Sequence, residues 1–367
     1  MKKKTIYRFL FAGGGTGGHL YPALAVAQKV RELKPESEII FIGNKNKIES
    51  KVVPEYSFEF KSIWISGFSR QISLSNILFP IKLFISAIQS LVISLKFKPR
   101  IAIGSGAYVS GPPIWAAWLT GAKIILLEQN SYPGITNRLL EKKANEIHIM
   151  FEESKKYFRQ KEKLKVTGNP IRVDLKIINK EEAVKKFDLL SNKKTLLILG
   201  GSGGAGTINS AVNKIFKELI ENGIQIIWQT GKNYFEHYKN YSNESAKIFP
   251  FISDMTSAFS ACDLVVARSG ASTIAEVSML GLPVIFVPSP FVAANHQMLN
   301  AKAICDSNAA LMIEDKNLEK DLLGTILTTI YDVHKLQQMK NEIKKFSKPD
   351  AVKTIAENAI KLAELRK

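Results

Sequence analysis

The sequence predicts an α/β protein made of two Rossmann-like domains with parallel sheets, facing each other across a cleft. Three observations predict it. Apolar strand-like runs alternate with helix-like runs along the whole chain. Gly13-x-Gly15-x-x-Gly18 stands between a strand and a helix, and Gly201-x-Gly203-x-x-Gly206 repeats that arrangement in the second half. The 367 residues are also long for a single core, which suits two domains.

The elements follow in order. A strand over 6–12 enters the first glycine loop, a helix covers about 20–33, and a strand covers 39–42. The runs "RIAIGSG" and "KIILLEQN" are the next strands. The second half restarts with the strand "TLLILGG", the loop "SGGAG" and a helix in which Ile208, Val212, Ile215 and Leu219 recur at helical spacing. Strands "IQIIWQTG" and "DLVVARSG", helix "TIAEVSML" and strand "LPVIFVP" complete it. The boundary falls near "VTGNPIRVD". This gives an N-terminal domain over 1–170, a C-terminal domain over 171–348, and a last helix over 349–367, opened by Pro349, that folds back on the first domain.

Composition narrows the function classes. The apolar fraction of 46% and charged fraction of 23% are those of an ordinary folded protein. The net charge of +18 favours anionic partners, although the richness in Lys, Ile and Asn also fits coding bias. No basic block interleaved with aromatics appears, so nucleic acid is not an expected partner. Two cysteines, Cys262 and Cys305, without metal-type spacing, suit a reducing compartment. The start "MKKKTIYRFLFAGGG" reads as a strand and not as a signal peptide, because Arg8 interrupts the apolar run and a glycine loop follows.

A glycine-rich turn entering a helix lets backbone N–H groups approach an anion, so phosphate binding is the reading for both loops; a tight turn without ligand is the alternative. A dinucleotide is disfavoured. The second strands end in Gly43-Asn44-Lys45 and Gly231-Lys232, without the acidic residue that holds a ribose. Glu276 follows Thr273 by three residues in "RSGASTIAE" and is expected in the first turn of a helix. It reads either as a capping box or as a carboxylate for ribose hydroxyls beside a diphosphate.

The segments "GGGTGGHLYPALAVA", "GSGAYVSGPP", "EQN", "GNPIR", "GGSGGAGTIN", "RSGASTIAE" and "NHQMLNA" resemble, in this order and over essentially the whole chain, the signature segments of the MurG family. These are bacterial N-acetylglucosaminyltransferases of peptidoglycan and cell wall synthesis. The resemblance implies a GT-B glycosyltransferase fold with the active site in the cleft. It implies UDP-N-acetylglucosamine as donor and undecaprenyl-diphosphate-linked N-acetylmuramyl-pentapeptide as acceptor, joined by inverting transfer to the 4-hydroxyl. Carried over residue by residue, donor contacts fall on Thr16, Gly17, Gly18, Asn130, Arg172 and Ser202, with Ile252 near the uracil. Ala271, Ser272, Thr273, Ile274, Ala275 and Glu276 would hold the diphosphate and ribose, and Gln297 would meet the sugar. Two positions depart from the pattern. Leu127 stands where a histidine often precedes "EQN", and Gly203 replaces a frequent glutamine; neither removes a group the chemistry needs. A UDP-N-acetylglucosamine 2-epimerase, a transferase with a diacylglycerol glycolipid acceptor, and a non-catalytic nucleotide-binding protein are the rival readings.

The chain has no Asp-x-Asp, and its five histidines show no ligand spacing, so no metal or cofactor is expected. Leaving UDP is then stabilised by helix N-termini and backbone amides, with Arg172 assisting. His19, in the first turn of the first helix, is the candidate general base; the alternative is a hydrogen bond to phosphate or loop backbone only. The segment "ILFPIKLFISAIQSLVISL" approaches the length of a membrane span. Ile77, Ile81, Phe84, Ile88 and Leu95 share one face of it. It reads as a helix buried on two sides, or as one that docks on an anionic membrane surface with Lys82, Lys142 and Lys143. The family resemblance favours docking, with the protein peripheral on the cytoplasmic face of the inner membrane.

Overall fold

The computed structural model describes residues 7–67, 77–171, 175–201 and 203–365. The chain divides into two compact units, Met1–Val173 with Lys348–Lys367, and Asp174–Ser347.

The first unit is built on β1 (Arg8–Ala12), β2 (Glu38–Asn44), β3 (Glu59–Ile63), β4 (Ile101–Gly104), β5 (Lys123–Glu128), β6 (Glu146–Ile149) and β7 (Leu164–Val166). They pair in parallel as a seven-stranded sheet in the order β3-β2-β1-β4-β5-β6-β7. Helices α1 (Gly17–Leu33), α2 (Glu49–Glu55), α3 (Phe79–Phe97), α4 (Gly111–Leu119) and α5 (Ile135–Leu140) join them. Phe9 and Phe11 of β1 pack with Leu20 and Leu24 of α1, while Leu10 and Ala12 pack on the other face with Ile114 and Ala117 of α4. Cover on both faces is why these strands read as unbroken apolar runs. The strand order reverses between β1 and β4, and the loops leaving those two strands lie at the resulting switch point.

The second unit repeats the plan. Its strands are β8 (Lys194–Leu199), β9 (Ile224–Gln229), β10 (Ala246–Phe249), β11 (Leu264–Ala267), β12 (Val284–Phe286) and β13 (Leu311–Met312). They form a six-stranded parallel sheet in the order β10-β9-β8-β11-β12-β13, with the switch point between β8 and β11. Helices α6 (Lys180–Lys185), α7 (Gly206–Glu221), α8 (Phe235–Tyr238), α9 (Met255–Ala261), α10 (Ala271–Leu280), α11 (His296–Cys305), α12 (Leu318–Ile330) and α13 (Val333–Lys344) complete it. The stripe of Ile208, Val212, Ile215 and Leu219 buries against Trp228 of the sheet and Leu322 and Ile326 of α12.

The last helix, α14 (Ala351–Glu364), belongs to the first unit. Its Ile355, Ala356, Ala359, Ile360 and Ala363 enter the core around Phe9 and Leu24. Lys34 pairs with Glu364 at 3.1 Å, and Arg100 Nη1 donates to the Ala363 carbonyl at 3.0 Å. Gly168, at φ +88°, packs so tightly on Lys348 that a Cβ there would overlap it. The chain therefore leaves the first unit and re-enters it side by side.

Strands β3, β6, β7, β10 and β13 have no counterpart in the sequence reading. β3 ("EFKSI") and β7 ("LKV") are sheet edges that carry charge, and β13 has two residues, so none offers a periodic apolar run. Helix α1 begins at Gly17 and not near Leu20, which draws the last two glycines of the loop into its first turn.

Helix α3 overturns one expectation. It is not buried on two sides. Only Ser86, Ser90 and Ser94 are fully buried in it, spaced so that one narrow edge of small side chains lies against the protein. Ile93 and Phe97 pack partly on the core, but many of its large apolar residues point outward: Phe84 is 67% exposed, Leu95 55% and Ile81 51%. Helix α3 packs on α4, and α4 on α5. These neighbours add exposed Trp115, Trp118, Ile135 and Leu139. By length and composition α3 could cross a membrane, yet its serine edge packs within the first unit.

Candidate active site

In the first unit, three loops meet where β1, β4 and β5 end. The β1–α1 loop carries Gly13 to Thr16, with Gly15 at φ +76°. Thr16 is the exposed N-cap of α1, its hydroxyl makes no capping bond, and Gly17, Gly18 and His19 form the first helical turn. His19 Nδ1 lies 2.8 Å from the Ser105 carbonyl, beyond β4, and 3.1 Å from Gln129 Oε1, beyond β5. The Ser105 hydroxyl returns a bond to the His19 carbonyl at 2.5 Å. The Gln129 amide nitrogen donates to Ser105 O at 3.1 Å, which turns Oε1 toward the imidazole. Both groups facing Nδ1 are acceptors, so the proton sits on Nδ1 and the Nε2 lone pair is presented outward.

Beside them, Glu128 is buried. Its Oε1 accepts from Asn130 N at 3.1 Å, and its Oε2 accepts from Gly134 N and Asn137 Nδ2, each at 2.9 Å. Burial pushes its carboxyl above the ordinary range, and the three donors pull part of the way back. Glu128 thereby fixes the turn that carries Gln129 and Asn130. The Tyr108 ring lies against Gly15 and Gly67, and burial raises its phenol.

In the second unit, the β8–α7 loop divides its glycines between two jobs. Gly204 and Gly231 interlock backbone to backbone, and a Cβ on either would overlap the other loop. Among the described residues, Gly201 and Gly203 have no atom within 4 Å of where a Cβ would stand, and Gly270, the N-cap of α10, is open in the same way. Those open positions are where a ligand can reach the backbone. Gln229 braces the region: its Oε1 accepts from Ile252 N at 2.8 Å and its Nε2 donates to Gly201 O at 3.2 Å. Ala271, Ser272 and Thr273 form the first turn of α10, and the Ser272 hydroxyl is buried without a hydrogen-bond partner among the described residues. Gln297 Oε1 accepts from Ser289 N at 2.9 Å, and its carbonyl accepts from Ser269 Oγ at 2.8 Å. Arg268 ties the end of β11 to α7. It pairs with Asp315 at 2.5 Å and donates to Thr207 Oγ1 at 2.7 Å.

The expected residues thus fall into two groups. Thr16, Gly17, Gly18, His19 and Asn130 gather in the first unit, and Ile252, Ala271 to Glu276 and Gln297 in the second. Arg172 and Ser202 lie outside the described residues. One local expectation is corrected: Glu276 is the sixth residue of α10, in its second turn, and the N-cap is Gly270. A capping box needs Ser or Thr at the N-cap and Glu three residues on, so that reading falls. Sequence reasoning missed Ser105, Gln129, Glu128, Asn137, Glu49 and Arg268. "GSGAYVSGPP" and "EQN" held signals for the first three, but only folding shows that Ser105 and Gln129 converge on one imidazole. Among the described residues no three His, Cys, Asp or Glu side chains converge as metal donors.

Comparison with known proteins extends this picture. The family described as glycosyltransferase family 28 N-terminal domain matches residues 9–149, and its C-terminal domain counterpart matches 195–355. The chain is 42% identical over 98% of its length to the UDP-N-acetylglucosamine--N-acetylmuramyl-(pentapeptide) pyrophosphoryl-undecaprenol N-acetylglucosamine transferase of Flavobacterium psychrophilum, covering 99% of that protein. It is 39% identical to the transferase of the same description from Clostridioides difficile, over 97% of this chain and 89% of that one. Among solved structures, MurG of Acinetobacter baumannii superposes with a TM-score of 0.76 at 24% identity, over 97% and 99% of the two chains. The UDP-GlcNAc 2-epimerase of Neisseria meningitidis, bound to UDP-GlcNAc, superposes at 0.67 with 14% identity, over 97% and 100%. These two structural likenesses speak to the GT-B fold.

Proposed function

The chain belongs to glycosyltransferase family 28, the family of the N-acetylglucosamine transferases it matches, and from that premise we propose its reaction. It transfers N-acetylglucosamine from UDP-N-acetylglucosamine, with inversion, to the 4-hydroxyl of undecaprenyl-diphosphate-linked N-acetylmuramyl-pentapeptide. The product is the disaccharide lipid precursor of peptidoglycan.

The observation that carries the reading is the His19 cluster. With Nδ1 held by the Ser105 carbonyl and Gln129 Oε1, Nε2 is the atom that takes a proton. Removing the proton from the acceptor hydroxyl lets that oxygen attack the anomeric carbon on the face opposite UDP. The leaving diphosphate gathers negative charge. The amides at the open Gly201, Gly203 and Gly270 and at the start of α10 supply donors for it, and the dipole of α10 adds attraction. Ile252 would bound the uracil, Glu276 would accept from the ribose, and Gln297 would donate to the sugar from Nε2, since its Oε1 already serves Ser289. Thr16, Gly17, Gly18, Asn130, Arg172 and Ser202 would complete the donor contacts.

The exposed apolar face of α3 supports a peripheral position on the cytoplasmic face of the membrane that carries the acceptor. Lys82 lies above the Trp64 ring and Lys143 above the Trp118 ring, cations at the edge of an apolar surface. One experiment tests reaction and docking together: radiolabelled sugar transfer, with EDTA present, to the lipid-linked acceptor in anionic vesicles and to a short-chain soluble acceptor. We expect transfer to both. Phe84→Glu lowers vesicle turnover several-fold and spares the soluble reaction. An epimerised donor without transfer would refute the reaction, and equal loss on both acceptors would refute docking.

A further inference from the structure

Glu49 opens α2, a helix with no place in the chemistry so far, yet it is 1% exposed. Among the described residues it has no ion pair. Its Oε2 accepts from Gly15 N at 2.8 Å, and its Oε1 accepts from Asn44 N, at the end of β2, at 3.0 Å. Two glycines make room for it. A Cβ on Gly14 would overlap the carboxylate, and one on Gly43 would stand 2.6 Å from Glu49 Cγ. An unpaired buried carboxylate is costly, and two glycines in one cradle add backbone entropy to the cost. A fold that needed only a helix start there would not use this arrangement.

What the carboxylate grips is the left-handed Gly15, one residue before the N-cap of α1. His19 follows three residues after that cap, and its own Nδ1 contacts fix only the ring. We propose that Glu49 is a positioning residue for the transfer. It sets the glycine loop and, through it, the first turn that aims Nε2 of His19. The Gly15 amide is spent on this carboxylate and is not open to an anion. This inference rests on His19 being the base.

The test measures kcat, donor KM and melting temperature of the full chain for Glu49→Gln, beside His19→Ala. Glutamine keeps the volume but offers one acceptor, so one of the two N–H groups meets an NH2 group. We expect kcat to fall on the order of tenfold, because small displacements of reacting groups are expensive. Donor KM stays within about twofold, and melting falls by only a few degrees, the cost of one buried N–H left without an acceptor, so the variant is still folded under assay. A Glu49→Gln variant with full kcat overturns the proposal while an inactive His19→Ala leaves the base standing. A kcat loss matched by loss of folded protein overturns it as well. Near-normal turnover of His19→Ala removes the base and the positioning role together.

Discussion

The two glycine loops share a spacing and differ in what occupies them. In the first, the space beside Gly13 and Gly14 is filled by the protein itself, through the Ser105 hydroxyl and the Glu49 carboxylate. In the second, Gly204 is locked against Gly231 while Gly201 and Gly203 face open space. The same pattern of glycines therefore serves two ends. One loop is braced by neighbouring side chains, and the other keeps its backbone reachable. Glycine spacing identifies a place where something comes close to the main chain, and only the fold says whether that is a ligand or a neighbouring side chain.

The sharpest way to break the contrast is His19→Ala. If the first loop serves chemistry and the second serves donor grip, turnover falls roughly a hundredfold or more. UDP affinity by calorimetry then changes by no more than about twofold. A parallel loss of UDP binding would merge the two roles.

A smaller and more selective effect comes from the glycines. Gly14→Ala must displace Glu49 and is expected to cost about 1–3 kcal/mol in denaturant unfolding. Gly203→Ala meets no atom of the described residues within 4 Å. Its stability stays within about 0.5 kcal/mol, while UDP binding weakens. Reversal of these two outcomes would show that the loops had been assigned the wrong way round.

Most of the fold was legible in the sequence because both sheets are covered on both faces, which leaves unbroken apolar runs such as "RFLFA" and "TLLIL". The edges were not, because β3 and β7 carry Lys and Glu toward solvent. Within the site, His19 could be named from its place after a glycine loop. Its orienting partners could not, since Ser105 and Gln129 are distant in sequence and meet it only across strand ends. The apolar run of α3 was ambiguous for another reason. Periodicity reports which residues share a face, and here serines and not leucines face the protein.

The smallest expected effect concerns pH. Burial lifts the Glu128 carboxyl, so the folded chain keeps that proton to higher pH than the unfolded chain does. Its contribution to stability is fully present below the ordinary carboxylate range and is lost as pH climbs through the raised value. Glu128→Gln lacks this titration. The melting temperature of the variant relative to the parent then moves in the variant's favour as pH climbs above the ordinary carboxylate range. A pH-independent difference would mean that the first unit does not bury that charge.

Helix α14 is made after the entire second unit, yet it closes the core around Phe9 and Leu24 in the first. On the ribosome, the whole of Asp174–Ser347 emerges before that gap is filled. The second unit thus completes itself during synthesis, while the first unit waits with its apolar seat uncovered until α14 arrives. A chain that stops before Lys348 therefore keeps a second unit that is whole and leaves the first unit with its core open.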